Sequence, residues 1–156
     1  MRSATAGEPG TVGIELQRRF RASPETLFEA WTTPAALRQW WCPPGWSAGD
    51  IEIDLRVGGS YRIAMLQSGR HAPVAVVGEF LDVQPPYRLV YTWRWEGAFP
   101  ELPPTLVTLE LQPSEGETLL VLRHVNFADA ALREQHRTGW IAACNRLDFA
   151  VTPPQR

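Results

Sequence analysis

Apolar side chains recur at helical spacing over residues 129–151, near the end of the chain. Spacings of three and four residues join one stripe, formed by Leu132, His136, Trp140, Ala143, Leu147 and Val151. This period predicts a helix with one buried face, which Asn126 or Asp129 can cap. Pro153-Pro154 ends the helix near Val151, so at about 1.5 Å per residue it is about 30 Å long. The charged residues of the segment lie off the stripe and are expected in water, namely Arg133, Glu134, Arg137 and Arg146.

Earlier segments alternate apolar and polar residues with period two, as half-buried strands do. The pattern covers residues 14–21, 51–57, 61–65, 88–95, 105–112 and 118–126. Residues 73–83 are apolar on both faces, which is typical of a strand inside a sheet. Short turns such as Gly58-Gly59 join consecutive strands, so we expect them to pair antiparallel.

Two short helices are predicted after the first strand. Ser23 can cap the first of them, with Pro24 at its first helical position. Thr33-Pro34 starts the second in the same way, and Pro43-Pro44 stops it. Because the long helix has one apolar face, it needs a sheet to lie on. The predicted fold class is therefore α+β, an antiparallel sheet of six to seven strands wrapped around a long C-terminal helix.

The chain has 156 residues, and we expect one domain over residues 14–152 behind a flexible N-terminal arm at 1–13. The net charge of −2 argues against a large basic surface for nucleic acid. All 15 basic residues are arginine, so lysine Schiff-base and lysine general-base chemistry are excluded. The sequence contains no secretory signal, no apolar stretch of membrane-spanning length and no disulfide framework. We therefore expect a cytoplasmic protein.

Short motifs occur in a fixed order along the chain. They are Ser23-Pro24-Glu25 with Trp31, Thr33-Pro34 with Leu37, Trp40 and Trp41, residues 54–59, Gly78 with residues 85–93, His124, His136, Gly139-Trp140 and Leu147. Each motif is weak alone. Together they resemble the START-like (SRPBCC) helix-grip superfamily, and within it the AHSA-type domains, homologues of the heat-shock-protein-90 ATPase activator. The resemblance covers about residues 15–149.

The resemblance implies a cavity between the sheet and the C-terminal helix that binds a small hydrophobic or aromatic molecule, with no cofactor. Some relatives are polyketide cyclases or aromatases, so an enzyme of cyclase or hydrolase type that uses a cavity histidine is the second hypothesis. A chaperone-interacting, stress-response protein is the third. The eukaryotic co-chaperone has an additional N-terminal chaperone-binding domain without a counterpart in this sequence, which argues against chaperone activation.

His124 and His136 are the candidate catalytic residues. His124 continues the inward side of the last strand at period two, and His136 lies in the helical stripe, so both can face one cavity. A neutral imidazole there could bind a ligand hydroxyl or exchange a proton near pH 7. The alternative is a structural histidine whose hydrogen bonds are satisfied. A metal site would need a third ligand beside these two histidines. Cys144, two turns along from His136, is a conceivable third ligand, but no metal site is expected.

Aromatic residues are abundant, and core packing accounts for most of them. Cavities for apolar ligands have aromatic walls with a few polar groups, so some of these residues should line the cavity. The expected lining is Trp31, Trp40, Tyr91, Trp93, His124, His136 and Trp140. The list depends on which strand faces turn inward, since a slip of one residue inverts them. An exposed aromatic edge strand would also permit a homodimer.

Residues 45–49 match the G-x-S-x-G motif of serine hydrolases. That motif requires a strand before the serine and a helix after it. Here a predicted helix precedes Ser47 and a predicted strand follows it. We therefore interpret the motif as a loop that contains two glycines.

Overall fold

A computed structural model of the protein describes residues 13–69, 72–97 and 102–152. The predicted arm at 1–13 lies outside these residues except for Gly13. The strands of the described chain are β1 Ile14–Phe20, β2 Trp46–Ile53, β3 Ser60–Gln67, β4 Val74–Gln84, β5 Arg88–Glu96, β6 Thr105–Ser114 and β7 Glu117–Val125. Its helices are α1 Pro24–Thr32, α2 Pro34–Leu37 and α3 Ala130–Val151.

The strands form one antiparallel sheet in the spatial order β1-β7-β6-β5-β4-β3-β2. From β2 to β7, each strand pairs with the next along the chain. α1 and α2 carry the chain from β1 at one edge to β2 at the other, and β1 closes against β7. The arrangement confirms the predicted α+β helix-grip fold, with a long C-terminal helix and two short helices after the first strand.

The predicted stripe of α3 faces the protein interior. Its buried members are Trp140, Ala143 and Leu147, and Cys144 is buried beside them. Asp129 caps the helix, because its side chain accepts a hydrogen bond from the backbone N–H of Leu132 at 2.8 Å. Asn126, the other candidate cap, has φ 78 in the left-handed region and lies outside the helix.

β2 differs from its prediction at both ends. It begins at Trp46 and stops at Ile53, so Leu55 and Val57 are 37% and 61% exposed instead of half-buried. The chain leaves the sheet in a turn at this point. Gly58 there has φ +86, and its N–H donates to the carbonyl of Phe80 at 2.8 Å. The prediction failed because alternation of apolar residues continues past the place where the turn begins.

β5 carries the buried face that positions the site. Leu89, Tyr91 and Trp93 alternate on it and are 1%, 4% and 6% exposed. Gly78 of the neighbouring β4 lies against this strand, and a Cβ there would collide with the carbonyl oxygen of Thr92. The glycine therefore permits the close pairing of β4 and β5.

Candidate functional site

Five tryptophans from four parts of the fold meet under α3, and we call them the aromatic cluster. Trp31 of α1 stacks on Trp140 of α3, with centroids 5.8 Å apart and planes at 15°. The ring centroid of Trp40 lies 4.8 Å from that of Trp31, with the planes at 49°. Trp93 of β5 completes the cluster at 5.4 Å from Trp140 and 5.6 Å from Trp41. Such tilted and stacked pairs add about 0.5–1.5 kcal/mol each beyond the area they bury.

A cleft of about 200 Å³ opens beside the cluster, between α3 and strands β3 and β5. We call it the helix–sheet cleft. Its apolar wall consists of Trp41, Pro43, Met65, Trp93, Trp95, Trp140 and Ala143. The other lining residues of α3 follow one helical face, at Gln135, His136, Gly139, Ala142 and Arg146. The cleft is therefore a largely aromatic groove with its few polar groups on the helix.

Gly139 lies on this helical face, in the interior of the 22-residue helix α3. A Cβ added there would meet no atom within 4 Å. Glycine inside a helix costs about 1 kcal/mol relative to alanine. Packing does not require a glycine at this position. Its absent side chain leaves the cleft open.

His124 on β7 takes part in a chain of buried hydrogen bonds. The indole Nε1 of Trp140 donates to its Nδ1 at 3.0 Å, and Nε2 lies 2.7 Å from the hydroxyl of Thr105. Because an indole N–H can only donate, Nδ1 must be the acceptor and Nε2 carries the proton. The Thr105 hydroxyl then accepts from Nε2 and donates to the carbonyl of Trp93 at 3.2 Å. Both ring nitrogens are thus engaged.

The environment of His124 keeps its imidazole neutral. The residue is 0% exposed. Burial lowers its pKa well below 6.5, and the charge of a protonated His136 nearby lowers the pKa further. Protonation of Nδ1 would also place two N–H groups face to face at Trp140. This geometry fits the structural alternative for His124, since a proton can be taken up only by breaking the chain of bonds.

His136 on α3 lines the cleft, but its ring nitrogens are also engaged. Nε2 accepts from the indole Nε1 of Trp95 at 2.8 Å, and Nδ1 lies 2.9 Å from the backbone carbonyl of Leu132. The indole is a donor, so Nε2 is the acceptor and Nδ1 donates to the carbonyl. Partial burial lowers the pKa of His136, and the bond to the Leu132 carbonyl opposes this effect. His136 therefore anchors Trp95 in the cleft wall.

The seven residues expected to line the cavity fall into three places. Those that line the cleft are Trp93, His136 and Trp140. Trp31 and Tyr91 line a separate void of about 20 Å³, where the Trp31 indole donates to the Tyr91 hydroxyl at 3.0 Å. Trp40 and His124 are 1% and 0% exposed. The Trp40 ring lies in the core, where its Nε1 donates a hydrogen bond to the carbonyl of Ala30 at 2.9 Å.

Arg146 was expected in water, and this prediction is wrong. The side chain is half-buried, and its Nε and Nη2 donate to the carbonyls of Trp40 and Trp41 at 2.8 and 3.2 Å. The carbonyl of Trp40 has no helical partner four residues along the chain, because that residue is Pro44, which has no N–H. Arg146 donates to both carbonyls and ties α3 to the segment that follows α2. The contact spans more than 100 residues, so periodicity could not reveal it.

Two tryptophans of the cleft wall, Trp95 and Trp41, were absent from the expected lining. Trp95 was predicted on the same strand face as Trp93, and that alternation was sufficient to find it. Trp41 was predicted on the apolar face of the second short helix. In the structure α2 ends at Leu37, and a turn then carries Trp41 toward β5. In the sequence, only the two prolines at Pro43-Pro44, which end a helix, indicated that the chain turns near this point.

The cysteines and the serine motif offer no activated nucleophile. Burial raises the pKa of Cys144 to about 11, and burial also raises the pKa of Cys42. Ser47 lies in β2, paired with Leu66 of β3, and of the motif only Gly45 lies in the turn before the strand. The serine is therefore neither in a loop, as expected, nor on a nucleophile elbow. Among the described residues, no three His, Cys, Asp or Glu side chains are grouped to hold a metal ion.

The family pattern described as Activator of Hsp90 ATPase homolog 1-like protein matches residues 21–152. The chain belongs to this family. The match confirms the resemblance identified from the motifs. An AHSA1-type domain has a fold suited to ligand binding in general, and neither a ligand nor a reaction follows from membership alone. A search of curated proteins finds no match to this AHSA1 chain.

Solved structures share the AHSA1 architecture. A protein of Chromobacterium violaceum aligns with TM-score 0.78 and 28% identity, over 92% of this chain and 99% of its own. A protein of Rhodobacter sphaeroides aligns with TM-score 0.74 and 31% identity, over 88% and 90%. The AHSA1 protein of Silicibacter pomeroyi aligns with TM-score 0.76 and 27% identity, over 88% and 96%.

Within the part of the chain that the structure describes, no helix is both long enough and apolar enough to cross a membrane. The longest, α3, has 22 residues, and its charged positions include Arg133, Arg137 and Arg146. One face of α3 contacts the sheet and the helix–sheet cleft and includes Arg146, whereas Arg137 is exposed on another face.

Proposed function

We propose that the protein binds a small hydrophobic or aromatic molecule in the helix–sheet cleft. The observation that carries the proposal is a cleft of about 200 Å³ with four indole rings in its wall. An engineered apolar cavity of about 150 Å³ holds benzene, so the volume suits a ligand of one or two rings. Removing apolar surface from water contributes about 25 cal/mol per Å² to binding.

The wall of the cleft is held in position before a ligand arrives. Trp95 is fixed by its bond to His136, and Trp140 by its bond to His124. Met65 and Trp93 are each 6% exposed and supported from behind by the core. A ligand would therefore order few side chains on binding, which reduces the entropic cost of association.

Binding is better supported than catalysis. A general acid or base needs a ring nitrogen within reach of the substrate. Both nitrogens of His124 and both nitrogens of His136 already have partners in the folded chain. The cysteine pKa values are raised, so thiolate chemistry has no support either. The cyclase- or hydrolase-type hypothesis therefore has no specific observation in its favour.

The remaining expectations stay predictions. A cytoplasmic location, a stress-response role, a chaperone partner and a homodimer were each expected or considered from the sequence. The cleft provides no argument for or against them. The ligand proposal does not depend on any of these four.

Isothermal titration calorimetry with neutral apolar probes tests the proposal. Indole, naphthalene-2-carboxamide and adamantane-1-carboxamide cover aromatic and alicyclic shapes. Gly139→Leu places a side chain in the open space of the cleft without a backbone clash. We expect saturable binding of at least one probe to the wild-type protein and a loss of about tenfold or more in Gly139→Leu, equivalent to about 1.4 kcal/mol.

Gly139→Ala is the matched control, because it changes helix propensity with only one methyl group added to the cleft. We expect it to bind the probe within about threefold of the wild type, which is less than 1 kcal/mol. The proposal would be overturned if no probe bound saturably, or if Gly139→Leu bound as tightly as the wild type.

A further inference from the structure

Arg146 is the only charged side chain among the residues that line the helix–sheet cleft in the described chain. Its guanidinium is fixed, because Nε and Nη2 donate to the carbonyls of Trp40 and Trp41. Those carbonyls are neutral acceptors and do not cancel the positive charge. A cation is thus held in place beside an apolar groove.

The guanidinium has hydrogen-bond capacity to spare. Arginine carries five N–H donors, and the two bonds to the Trp40 and Trp41 carbonyls use two of them. The two N–H groups of Nη1 and one of Nη2 have no protein acceptor within the described residues. One hydrogen on Nη1 and one on Nη2 form the fork that matches the two oxygens of a carboxylate.

No counter-ion for Arg146 is found in the part of the chain that the structure describes. Other arginines there form ion pairs, such as Arg18 with Asp148 at 3.1 Å and Arg62 with Glu96 at 3.3 Å. The groups that act electrostatically on Arg146 are the thiols of Cys42 and Cys144. Their pKa values are raised by burial, so both thiols are neutral near pH 7. Burial meanwhile lowers the pKa of Arg146, which indicates that its charge is poorly solvated.

We propose that the ligand of the cleft is an amphipathic acid, whose aromatic or alicyclic body lies against the tryptophans and whose carboxylate pairs with Arg146. The inference rests on the proposed binding function and names the chemical class of the ligand. A charge-assisted hydrogen bond at a half-buried site contributes more than one in water. A carboxylate therefore gains affinity over a neutral group of equal shape, and Arg146 is the residue that determines this preference.

Two probes of the same shape test the inference. Naphthalene-2-carboxylate and naphthalene-2-carboxamide share one ring system and differ in charge. Calorimetry should give about tenfold tighter binding of the carboxylate to the wild-type protein, which is about 1.4 kcal/mol. Arg146→Gln should remove this preference, so that the carboxylate and the carboxamide bind to the variant with affinities within about threefold of each other, a difference of less than 1 kcal/mol.

Arg137→Gln is the matched control. Arg137 lies on the same helix, is exposed and does not line the cleft, so the change removes an equal charge away from the site. We expect Arg137→Gln to keep the preference for the carboxylate. A preference that persists in Arg146→Gln, or one that is lost equally in Arg137→Gln, would overturn the role of Arg146.

The outcomes separate this inference from the binding function. If the carboxamide binds and the carboxylate is no tighter, the cleft binds ligands and the inference fails. If neither naphthalene probe nor any neutral probe binds, both fail. Arg146→Gln also removes the link to the segment that follows α2, so circular dichroism must first verify its fold. If Arg146→Gln does not fold, the affinities of the two probes for the wild-type protein are measured at low and high salt instead. Salt should weaken carboxylate binding more than carboxamide binding, and equal salt dependence would contradict the ion pair.

Discussion

The indole Nε1 of Trp140 donates to Nδ1 of His124 across 3.0 Å, and this buried bond joins α3 to β7. It determines the tautomer of the imidazole and the orientation of an indole that forms part of the cleft wall. His124 was a candidate catalytic residue, and both residues were expected to line the cavity. Their hydrogen bond holds the helix against the sheet.

Replacement of Trp140 by phenylalanine tests this bond. Trp140→Phe leaves a buried acceptor on His124 without a partner, in addition to the lost volume. Trp93→Phe is the matched change, because the Trp93 indole N–H is buried and has no hydrogen-bond partner among the described residues. We expect urea denaturation to show that Trp140→Phe lowers the free energy of unfolding by about 1–3 kcal/mol more than Trp93→Phe. Equal losses would contradict the structural role of the bond.

The histidines also predict how stability depends on pH. In the unfolded chain they take up a proton near the ordinary pKa of 6.5, whereas in the folded chain the pKa of His124 lies well below that value and the pKa of His136 is lowered. As pH falls below about 6.5, protons therefore favour the unfolded state. We expect the free energy of unfolding to decrease from pH 7 to pH 5, by up to about 1.4 kcal/mol per pH unit for each histidine that stays neutral only when folded.

A variant that cannot titrate serves as the control for this pH dependence. His124→Gln retains an acceptor and a donor in the side chain but has no pKa in this range. Its stability should fall less steeply between pH 7 and pH 5 than that of the wild type, as measured by urea denaturation at each pH. A wild-type stability that is constant over this interval would contradict the assignment of two neutral histidines.

Alanine at two glycines should have opposite effects on stability. Gly139→Ala adds a methyl group in open space inside a helix and should raise the free energy of unfolding by about 0.5–1 kcal/mol. Gly78→Ala should lower it, because the new Cβ would collide with the Thr92 carbonyl and the Tyr61 ring. Thermal denaturation of both variants measures the two effects. A destabilised Gly139→Ala would mean that this glycine is needed for packing rather than for an open cleft.

The sequence predicted the elements of the fold well, because each is encoded by its own local period. The α3 stripe through Trp140 and the β5 face through Trp93 both follow from spacing alone. The predicted end of β2 was wrong, because Leu55 and Val57 continue the alternation of apolar residues into an exposed turn. Local pattern gives the type of an element more reliably than its last residue.

The site was less predictable than the fold, because its geometry depends on contacts between distant segments. Nothing near Arg146 in the sequence indicates that its side chain donates to the carbonyls of Trp40 and Trp41. Likewise, the pattern around His124 gave its inward direction but not its bond to Trp140. The inward direction of His124 and Trp140 was predicted correctly, but their hydrogen bond to each other depends on a long-range contact.

The position of the ligand is the central claim, and the indole N–H signals of the seven tryptophans measure it directly. We expect titration of ¹⁵N-labelled protein with naphthalene-2-carboxamide to shift the ¹⁵N–¹H resonances of the cleft residues, Trp41, Trp93, Trp95 and Trp140. Trp46 on β2 is not part of the cleft lining and serves as the internal reference. Saturable shifts at the four cleft indoles with Trp46 unchanged are the predicted result. Shifts confined to Trp46, or no shift at any cleft indole, would contradict binding between the helix and the sheet.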